Sequence, residues 1–317
     1  MYEIPNRDLE RRYKISDFPL NVAIEVTNNC NLNCIMCHND IMKRPKGYMP
    51  MGTYKKIIDE IVKENPHTRI WLDFYGEALL AGWKLYYMVD YAKKRGCTNV
   101  CINTNGTLMK QEYADMLLDS NVDYISLDCD GFSEEVYEKI RVNASRDVFY
   151  NNVEYLLAEK KRRNHPVIVD IKVIDMPENH HEIDQIVDYW QKRGAWTAVR
   201  RCGEWVSNGG EQPDSKNRIA CGFSVGVAAI SWDGNVAGCA WDYDCDMAFG
   251  NINEKSLKDI WQRRNNGFVS KHFAHRWQEL PAMCQNCDNW RNIGEMRYDE
   301  NGKNRERNYE QNGSIYK

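Results

Sequence analysis

Three cysteines, Cys30, Cys34 and Cys37, lie within eight residues of one another and could together hold one metal centre. Thiolates are preferred ligands of zinc, Cu(I) and iron–sulfur clusters. Three thiolates leave one iron of a four-iron cluster without a protein ligand, so that iron could bind an incoming chelate as a Lewis acid. The ferredoxin patterns, in contrast, supply a fourth cysteine. The group therefore predicts a three-ligand cluster or, as an alternative, a zinc site completed by His38.

Four further cysteines are spaced as a second possible metal site. Cys221 and Cys239 are separated by seventeen residues, and Cys284 and Cys287 form a Cys-x-x-Cys pair. Four thiolates are enough for a fully ligated four-iron cluster or for structural zinc. A fully ligated cluster has no vacant iron, so it could accept or relay an electron or shape a substrate pocket.

The elements that would position these residues alternate between strands and helices. Short β-branched segments predict the strands, and apolar residues at helical spacing predict the helices between them. The alternation implies an α/β fold of parallel βα units, a barrel or an open sheet, with its chemistry at the carboxyl ends of the strands. The predicted strands are 21–27, 69–74, 99–103, 123–127, 167–174 and 196–201, and the helices are 51–64, 83–95, 110–119, 133–140, 147–163 and 182–193.

The alternation stops after residue 201, which predicts a change of domain. The segment 202–290 has glycine-rich turns, a predicted hairpin around Asp233-Gly234 and a helix near 256–264. We therefore predict an N-terminal extension over 1–20, a first domain over 21–201, a smaller second domain over 202–290 and a polar tail over 291–317.

Composition narrows the class of protein. The 317 residues carry a formal net charge of −4, whereas an electrostatic nucleic-acid binder needs a basic face. No apolar stretch approaches the roughly 20 residues of a membrane helix, and the polar N-terminus is unlike a signal peptide. We therefore expect a cytoplasmic protein that binds neither nucleic acid nor membranes. In that compartment the 12 cysteines favour metal or redox chemistry over disulfides.

The spacing Cys-x3-Cys-x2-Cys directly after a first strand resembles that of the radical S-adenosylmethionine (SAM) superfamily. The resemblance implies that Cys30, Cys34 and Cys37 bind a [4Fe-4S] cluster whose open iron chelates SAM. One electron then cleaves SAM to methionine and a 5′-deoxyadenosyl radical, which abstracts a hydrogen atom from the substrate. A low-potential donor such as flavodoxin or ferredoxin is implied as the source of that electron.

Residues that follow the next strands match further motifs of this superfamily. Tyr75-Gly76-Glu77 resembles its Gly-Gly-Glu element, although Tyr75 replaces the first glycine. The resemblance implies that this element holds the SAM amino group, that residues at strand ends three and four lie near SAM, and that an arginine pairs with its carboxylate. The implied SAM-binding residues are Tyr75, Gly76, Glu77, Asn103, Thr104, Asn105, Ser126, Asp128 and Arg141.

The second cysteine set and the residues between its members resemble the SPASM/twitch region of radical SAM enzymes. The four cysteines Cys221, Cys239, Cys284 and Cys287 fit the version with one auxiliary [4Fe-4S] cluster, and their spacing resembles that of an aminocyclitol dehydrogenase. The implied architecture is a partial (β/α)6 TIM-like barrel followed by a small auxiliary-cluster domain.

Residues at the predicted barrel mouth are candidates for the chemistry on the substrate. A thiol of Cys245 or Cys202 could donate a hydrogen atom to a substrate radical from the opposite face, which inverts a stereocentre. Arg201 and Glu204, at the end of the sixth strand, could bind hydroxyls, amines or carboxylates or accept a proton.

These observations predict an enzyme that oxidises or epimerises a small polyol, sugar or aminoglycoside-like molecule. Modification of a ribosomally made peptide is the alternative, because many SPASM enzymes act on peptides. A zinc- or cluster-binding regulator without catalysis is a third hypothesis, which predicts no cleavage of SAM.

Overall fold

A computed structural model describes Glu10 and residues 13–202, 218–291, 296–299 and 301. Its centre is a sheet of nine strands in the order β8-β7-β1-β2-β3-β4-β5-β6-β9. Strands β1 to β7 are joined by parallel pairings, and β8 and β9 pair antiparallel at the two edges. The strands are β1 (Asn21–Ile24), β2 (Arg69–Leu72), β3 (Val100–Thr104), β4 (Tyr124–Asp128), β5 (Ile168–Asp175), β6 (Trp196–Arg201), β7 (Val227–Ile230), β8 (Val236–Ala237) and β9 (Met296–Tyr298).

Helices follow the first five strands in turn, as the alternating pattern predicts. The predicted bounds of the first two helices are confirmed, and the other predicted helices differ by one or two residues at one or both ends. The helices are α1 (Met51–Glu64), α2 (Trp83–Arg95), α3 (Gln111–Asp119), α4 (Glu134–Ile140), α5 (Arg146–Arg162), α6 (Ile183–Gln191), α7 (Gly222–Gly226), α8 (Leu257–Arg264), α9 (Ser270–Phe273) and α10 (Ala282–Gln285), with a π-helical turn at Asn265–Val269 and 3-10 turns at Ala78–Ala81, His180–Glu182, Trp277–Glu279 and Asn289–Arg291.

The predicted second domain shares the sheet of the first. Strand β7 pairs parallel with β1, opposing Ala229 to Ala23, and the hairpin around Asp233-Gly234 joins β7 to β8. Strand β9 lies in the predicted polar tail and pairs with β6. The predicted alternation missed β7 as a seventh parallel strand, because its partner β1 is about 200 residues away in the chain.

The two faces of the sheet differ in chemistry. Side chains alternate between the faces of a strand. On the helix side they are apolar and buried, as for Val22, Ile70 and Ile125. The opposite, inner face carries many polar side chains, so the sequence alternation places a polar lining inside the partial barrel. Inward positions are Asn21 and Ala23 on β1, Arg69 and Trp71 on β2, Cys101 and Asn103 on β3, Tyr124, Ser126 and Asp128 on β4, and Asp170 and Lys172 on β5.

Two strands end earlier than predicted. β1 stops at Ile24 rather than at residue 27, and β2 stops at Leu72 rather than at residue 74. The chain turns out of the sheet just beyond these ends, where Glu25 pairs with Arg44 at 2.5 Å.

In the described part of the chain, no helix has the length and apolarity to cross a bilayer.

Candidate active site

The loop after β1 carries the first three cysteines and is held by backbone hydrogen bonds. The N–H groups of Asn33 and Ile35 donate to the carbonyls of Val142 (3.1 Å) and Ile140 (3.0 Å) at the end of α4. All three thiols are partly exposed. The N–H of Leu32 donates to Cys30 Sγ at 3.5 Å, the kind of bond that stabilises a thiolate ligand.

Arg141 lies buried beside this loop. Its guanidinium binds the fully buried Asp130 at 2.5–2.7 Å, and Asp128 is 3.7 Å away. Its Nη1 lies 3.8 Å from Cys34 Sγ. Arg141 therefore joins the end of β4 to the cysteine loop and places a positive charge next to one of the three thiols.

The Tyr75-Gly76-Glu77 segment packs directly on the chain that leads into the cysteine loop. Gly76 has φ +90°, and a Cβ on it would lie 2.3 Å from the carbonyl oxygen of Thr27. The N–H of Glu77 donates to the carbonyl of Asn29 at 2.8 Å. Only glycine fits this contact, because any side chain would strike backbone.

The carboxylate of Glu77 is buried and holds the ends of β2 and β3 together. It accepts hydrogen bonds from the Thr104 hydroxyl (2.7 Å), the Asn105 N–H (2.7 Å) and the Leu79 N–H (2.9 Å). Asn105 Nδ2 in turn lies 4.0 Å from Cys30 Sγ. Most of the carboxylate's capacity as an acceptor is thus used by the protein itself.

The other predicted SAM-binding residues lie in the same region. Asn103 Nδ2 donates to Asp128 Oδ2 at 3.2 Å. Ser126 is buried, and its Oγ has no hydrogen-bond partner among the described residues. Contacts thus link five of the predicted residues to the cysteine loop by two routes: Glu77, Thr104 and Asn105 to Cys30, and Asp128 and Arg141 to Cys34.

Asp73 is a candidate functional residue that the sequence analysis missed. It follows β2 on the inner side of the sheet, is partly exposed and makes no hydrogen bond to another described residue. Burial raises the pKa of its carboxyl to about 7, Asp128 and Glu77 add to the rise, and Lys172 and Arg200 oppose it. A carboxyl that titrates near neutral pH is suited to accept or donate a proton.

The surroundings of Asp73 are polar and aromatic. Lys172 Nζ lies 4.8 Å from the ring centroid of Trp71 in a cation–π contact. The Oδ1 of Asn103 is buried and has no partner among the described residues. Such groups are suited to bind hydroxyls or amines of a substrate. The sequence indicates this polar inner face through polar residues at alternate positions of several strands.

The second cysteine set lies near β7 and β8. The N–H of Trp241 donates to Cys239 Sγ, and the N–H of Asn289 donates to Cys287 Sγ, both at 3.4 Å. Burial raises the pKa of Cys221 to about 11 and that of Cys239 to about 12, so these thiols are protonated at neutral pH. Metal binding would therefore release protons from the site.

Two buried arginines flank these four thiols. Arg264 is fully buried and donates to the carbonyls of Gly238 (2.7 and 2.9 Å) and Ser224 (2.5 Å). Arg218 donates to the carbonyls of Cys284 (2.5 Å) and Gln285 (3.2 Å). Burial lowers the pKa of Arg264 to about 10, so it remains charged at neutral pH. Neither arginine was predicted from the sequence, because a sequence does not distinguish a buried arginine from an exposed one.

Cys245, a predicted hydrogen-atom donor, lies close to the cysteine loop. Its backbone is left-handed (φ 57°), which is uncommon for a residue other than glycine. Arg44, from the loop, lies near its thiol and pairs with Glu25 at 2.5 Å. The pKa of Cys245 is raised to about 12, mainly by burial and to a smaller extent by Asp242 and Glu25.

The remaining predicted catalytic residues are Cys202, Arg201 and Glu204. Cys202 packs against Ile140, Ile174 and Met176. Arg201 ends β6, but its side chain lies outside the described part of the structure, as does the whole of Glu204. Their predicted roles remain predictions.

The two cysteine sets suit an iron–sulfur cluster better than a single metal ion. In the described ranges, no three cysteine, histidine, aspartate or glutamate side chains surround one point as the ligands of a single metal ion do. A cluster differs from a single ion, because its own irons and sulfides separate its ligands. Three thiols at one site and four at the other, each set with N–H groups aimed at sulfur, fit the donor chemistry of iron–sulfur clusters.

Comparison with known families decides the assignment. The sequence model of the radical SAM superfamily matches residues 24–189, and that of SPASM, an iron-sulfur cluster-binding domain, matches residues 221–288. The chain belongs to the radical SAM superfamily. It is therefore an enzyme of the oxidoreductase type that uses SAM, a SAM-binding [4Fe-4S] cluster and an auxiliary cluster, and the zinc alternatives no longer hold.

Individual relatives are distant but similar over most of their length. The chain is 24% identical to the tungsten-containing aldehyde ferredoxin oxidoreductase cofactor-modifying protein of Pyrococcus furiosus (83% of this chain, 86% of the relative). It is 23% identical to the S-adenosyl-L-methionine-dependent 2-deoxy-scyllo-inosamine dehydrogenase of Niallia circulans (88% and 96%). The crystal structure of BtrN with AdoMet and 2-DOIA has the same fold, with a TM-score of 0.60, 20% identity and coverage of 87% and 95%.

Proposed function

We propose that this radical SAM enzyme is a dehydrogenase that oxidises a hydroxyl-bearing carbon of a polyol, sugar or aminoglycoside-like molecule. The observation that carries the proposal is Asp73, an inward carboxyl with a pKa of about 7 near Lys172. Similarity to the 2-deoxy-scyllo-inosamine dehydrogenase over nearly the whole of both chains supports the same class of substrate.

Oxidation of an alcohol to a ketone removes a hydrogen atom from carbon, a proton from oxygen and one further electron. Bound SAM and the two clusters supply the 5′-deoxyadenosyl radical and an acceptor for that electron. The chain supplies the rest. Asp73 accepts the hydroxyl proton, and the unpartnered Oδ1 of Asn103 and Oγ of Ser126 accept hydrogen bonds from hydroxyls of bound SAM.

Residues around the first site would hold the two cofactors. Cys30, Cys34 and Cys37 ligate the cluster, and Arg141 keeps a positive charge beside Cys34. We propose that SAM lies against the residues at the ends of β2, β3 and β4 and against the arginine after α4, namely Tyr75, Gly76, Glu77, Asn103, Thr104, Asn105, Ser126, Asp128 and Arg141. Glu77 acts by positioning the backbone of this group, because its oxygens already accept three bonds.

An anaerobic assay tests the proposal. Reconstituted enzyme, dithionite and SAM are mixed with 2-deoxy-scyllo-inosamine, a panel of sugars and cyclitols, or peptides, and 5′-deoxyadenosine and carbonyl products are measured. We expect one ketone for each 5′-deoxyadenosine with at least one polyol. Turnover restricted to peptides would support the peptide alternative, and cleavage of SAM without a ketone from any polyol would refute the dehydrogenase.

Asp73→Asn should lower ketone formation by about a hundredfold or more, the contribution typical of a general base. In the parent enzyme the rate should rise as the pH passes through about 7, because Asp73 acts in its deprotonated form. The variant should lose that limb of the pH profile while still cleaving SAM. Asp184→Asn, an exposed aspartate at the start of α6, is the matched control. An unchanged pH profile in Asp73→Asn would exclude Asp73 as the base.

Epimerisation is a second candidate, favoured by the partly buried thiol of Cys245 near Arg44 and Glu25. A thiol that stays protonated can return a hydrogen atom to the substrate radical. On this reading Cys245→Ala abolishes inversion and solvent deuterium incorporation but leaves SAM cleavage intact. Cys97→Ala, which removes a buried thiol from the core, should retain both. Deuterium entering the product of Cys245→Ala at the parent rate would refute the role of this thiol.

A further inference from the structure

The two arginines beside the second cysteine set lack an acidic partner. Among the described residues neither Arg218 nor Arg264 forms an ion pair, and the buried Arg264 Nη1 and Arg218 Nε have no hydrogen-bond acceptor. Their polar contacts are backbone carbonyls. Burying a guanidinium without a compensating negative charge is costly, so the molecule should contain such a charge nearby.

The four thiols are the titratable groups that these arginines face. Cys239, Cys221 and Cys284 are the titratable neighbours of Arg264, and Cys284, Cys221 and Cys287 are those of Arg218. The buried His272 lies near both arginines, and burial lowers its pKa to about 3, so it adds no positive charge at neutral pH. Two positive charges thus lie beside one site that becomes negative when its thiols bind a cluster.

We propose that Arg218 and Arg264 supply the countercharge of the auxiliary cluster and raise its reduction potential, so that it can accept the electron released by the substrate. The inference deepens the proposed dehydrogenase function and rests on it for its biological purpose. Cluster potentials depend on net charge, on hydrogen bonds to sulfur and on exposure to solvent. A positive charge in a poorly solvated site favours the reduced, more negative state, since the attraction is weakly screened there.

The test measures a potential rather than turnover. In full-length protein carrying Cys30→Ala, Cys34→Ala and Cys37→Ala, only the auxiliary cluster remains, and its reduction is followed by EPR during a redox titration. We expect Arg218→Gln and Arg264→Gln to lower the ratio of reduced to oxidised cluster at a fixed potential by about tenfold each, which is about 59 mV for a one-electron couple. Arg218→Lys and Arg264→Lys should stay within about threefold of the parent.

Arg263→Gln is the matched control, because this exposed arginine precedes Arg264 on α8. Potentials of both glutamine variants equal to that of the control, with full iron content, would overturn the proposal. Loss of iron in the glutamine variants but not in the lysine variants supports the countercharge role. Loss of iron in the glutamine and lysine variants alike would show that the arginines act through packing, and it would overturn the proposal.

The outcome is independent of the substrate. A shifted potential without alcohol oxidation would refute the dehydrogenase and leave the electrostatic role of the arginines in place. Alcohol oxidation with an unshifted potential would refute only the role of the arginines.

Discussion

Replacing Cys30, Cys34 or Cys37 by alanine should reduce 5′-deoxyadenosine formation to background. A four-iron cluster with two protein ligands binds weakly. The reconstituted parent should hold about eight irons per chain and each variant about four, because the second site keeps its four thiols. Iron and sulfide analysis and an anaerobic assay with dithionite measure the two effects.

Cys97→Ala is the control for this loss. Cys97 is a buried thiol, 2% exposed, that belongs to the hydrophobic core rather than to either cysteine set. Its variant should retain the full iron content and SAM cleavage. A single alanine variant of the first set that still produced 5′-deoxyadenosine at the parent rate would contradict the assignment of the three ligands.

Arg141→Met should destabilise the protein by about 3–5 kcal/mol, the usual cost of breaking one side of a buried ion pair. Asp130 is fully buried and is held by Arg141 (2.5 Å) and by the Ile174 N–H (2.8 Å), so the variant removes the only charged group that faces its carboxylate within hydrogen-bond distance among the described residues. Urea unfolding of the metal-free protein, monitored by circular dichroism, measures the change. The same variant should lose SAM cleavage, because Arg141 lies 3.8 Å from Cys34 Sγ.

The double variant Arg141→Met/Asp130→Leu separates the two causes. Removing both charges should recover part of the free energy of unfolding, because no uncompensated buried charge remains. SAM cleavage should stay low, since the charge beside the cluster is still missing. A single variant destabilised by less than about 1 kcal/mol would show that the pair is not the structural link described here.

The sequence predicted what depends on local spacing. The bounds of α1 follow from buried residues at helical intervals, namely Tyr54, Ile57, Ile58 and Ile61. The first cysteine set and the Cys284–Cys287 pair are recognisable because ligand spacing within a short segment is a local property. The predicted SAM-binding residues fall at strand ends, and parallel strands bring their carboxyl ends to one edge of a sheet.

The features that the sequence did not predict depend on contacts between distant residues. β9 pairs with β6 across about 100 residues, and no local pattern in a polar tail specifies that partner. Asp73 was missed because an alternating strand does not say which face is the barrel interior. Arg218 and Arg264 were missed because burial of an arginine is decided by the fold around it rather than by its neighbours in the chain.

The pairing of β7 with β1 has a consequence for how the two metal sites communicate. The first cysteine loop leaves the end of β1, and the second set begins just before β7 and continues just after β8. The strand that leads into the first loop is therefore hydrogen-bonded directly to the strand that follows Cys221, with the first loop at the carboxyl end of this pair and Cys221 at its amino end. Electron tunnelling weakens steeply with the distance between two metal sites. The hydrogen-bonded strands β1 and β7 keep that distance constant from one catalytic cycle to the next.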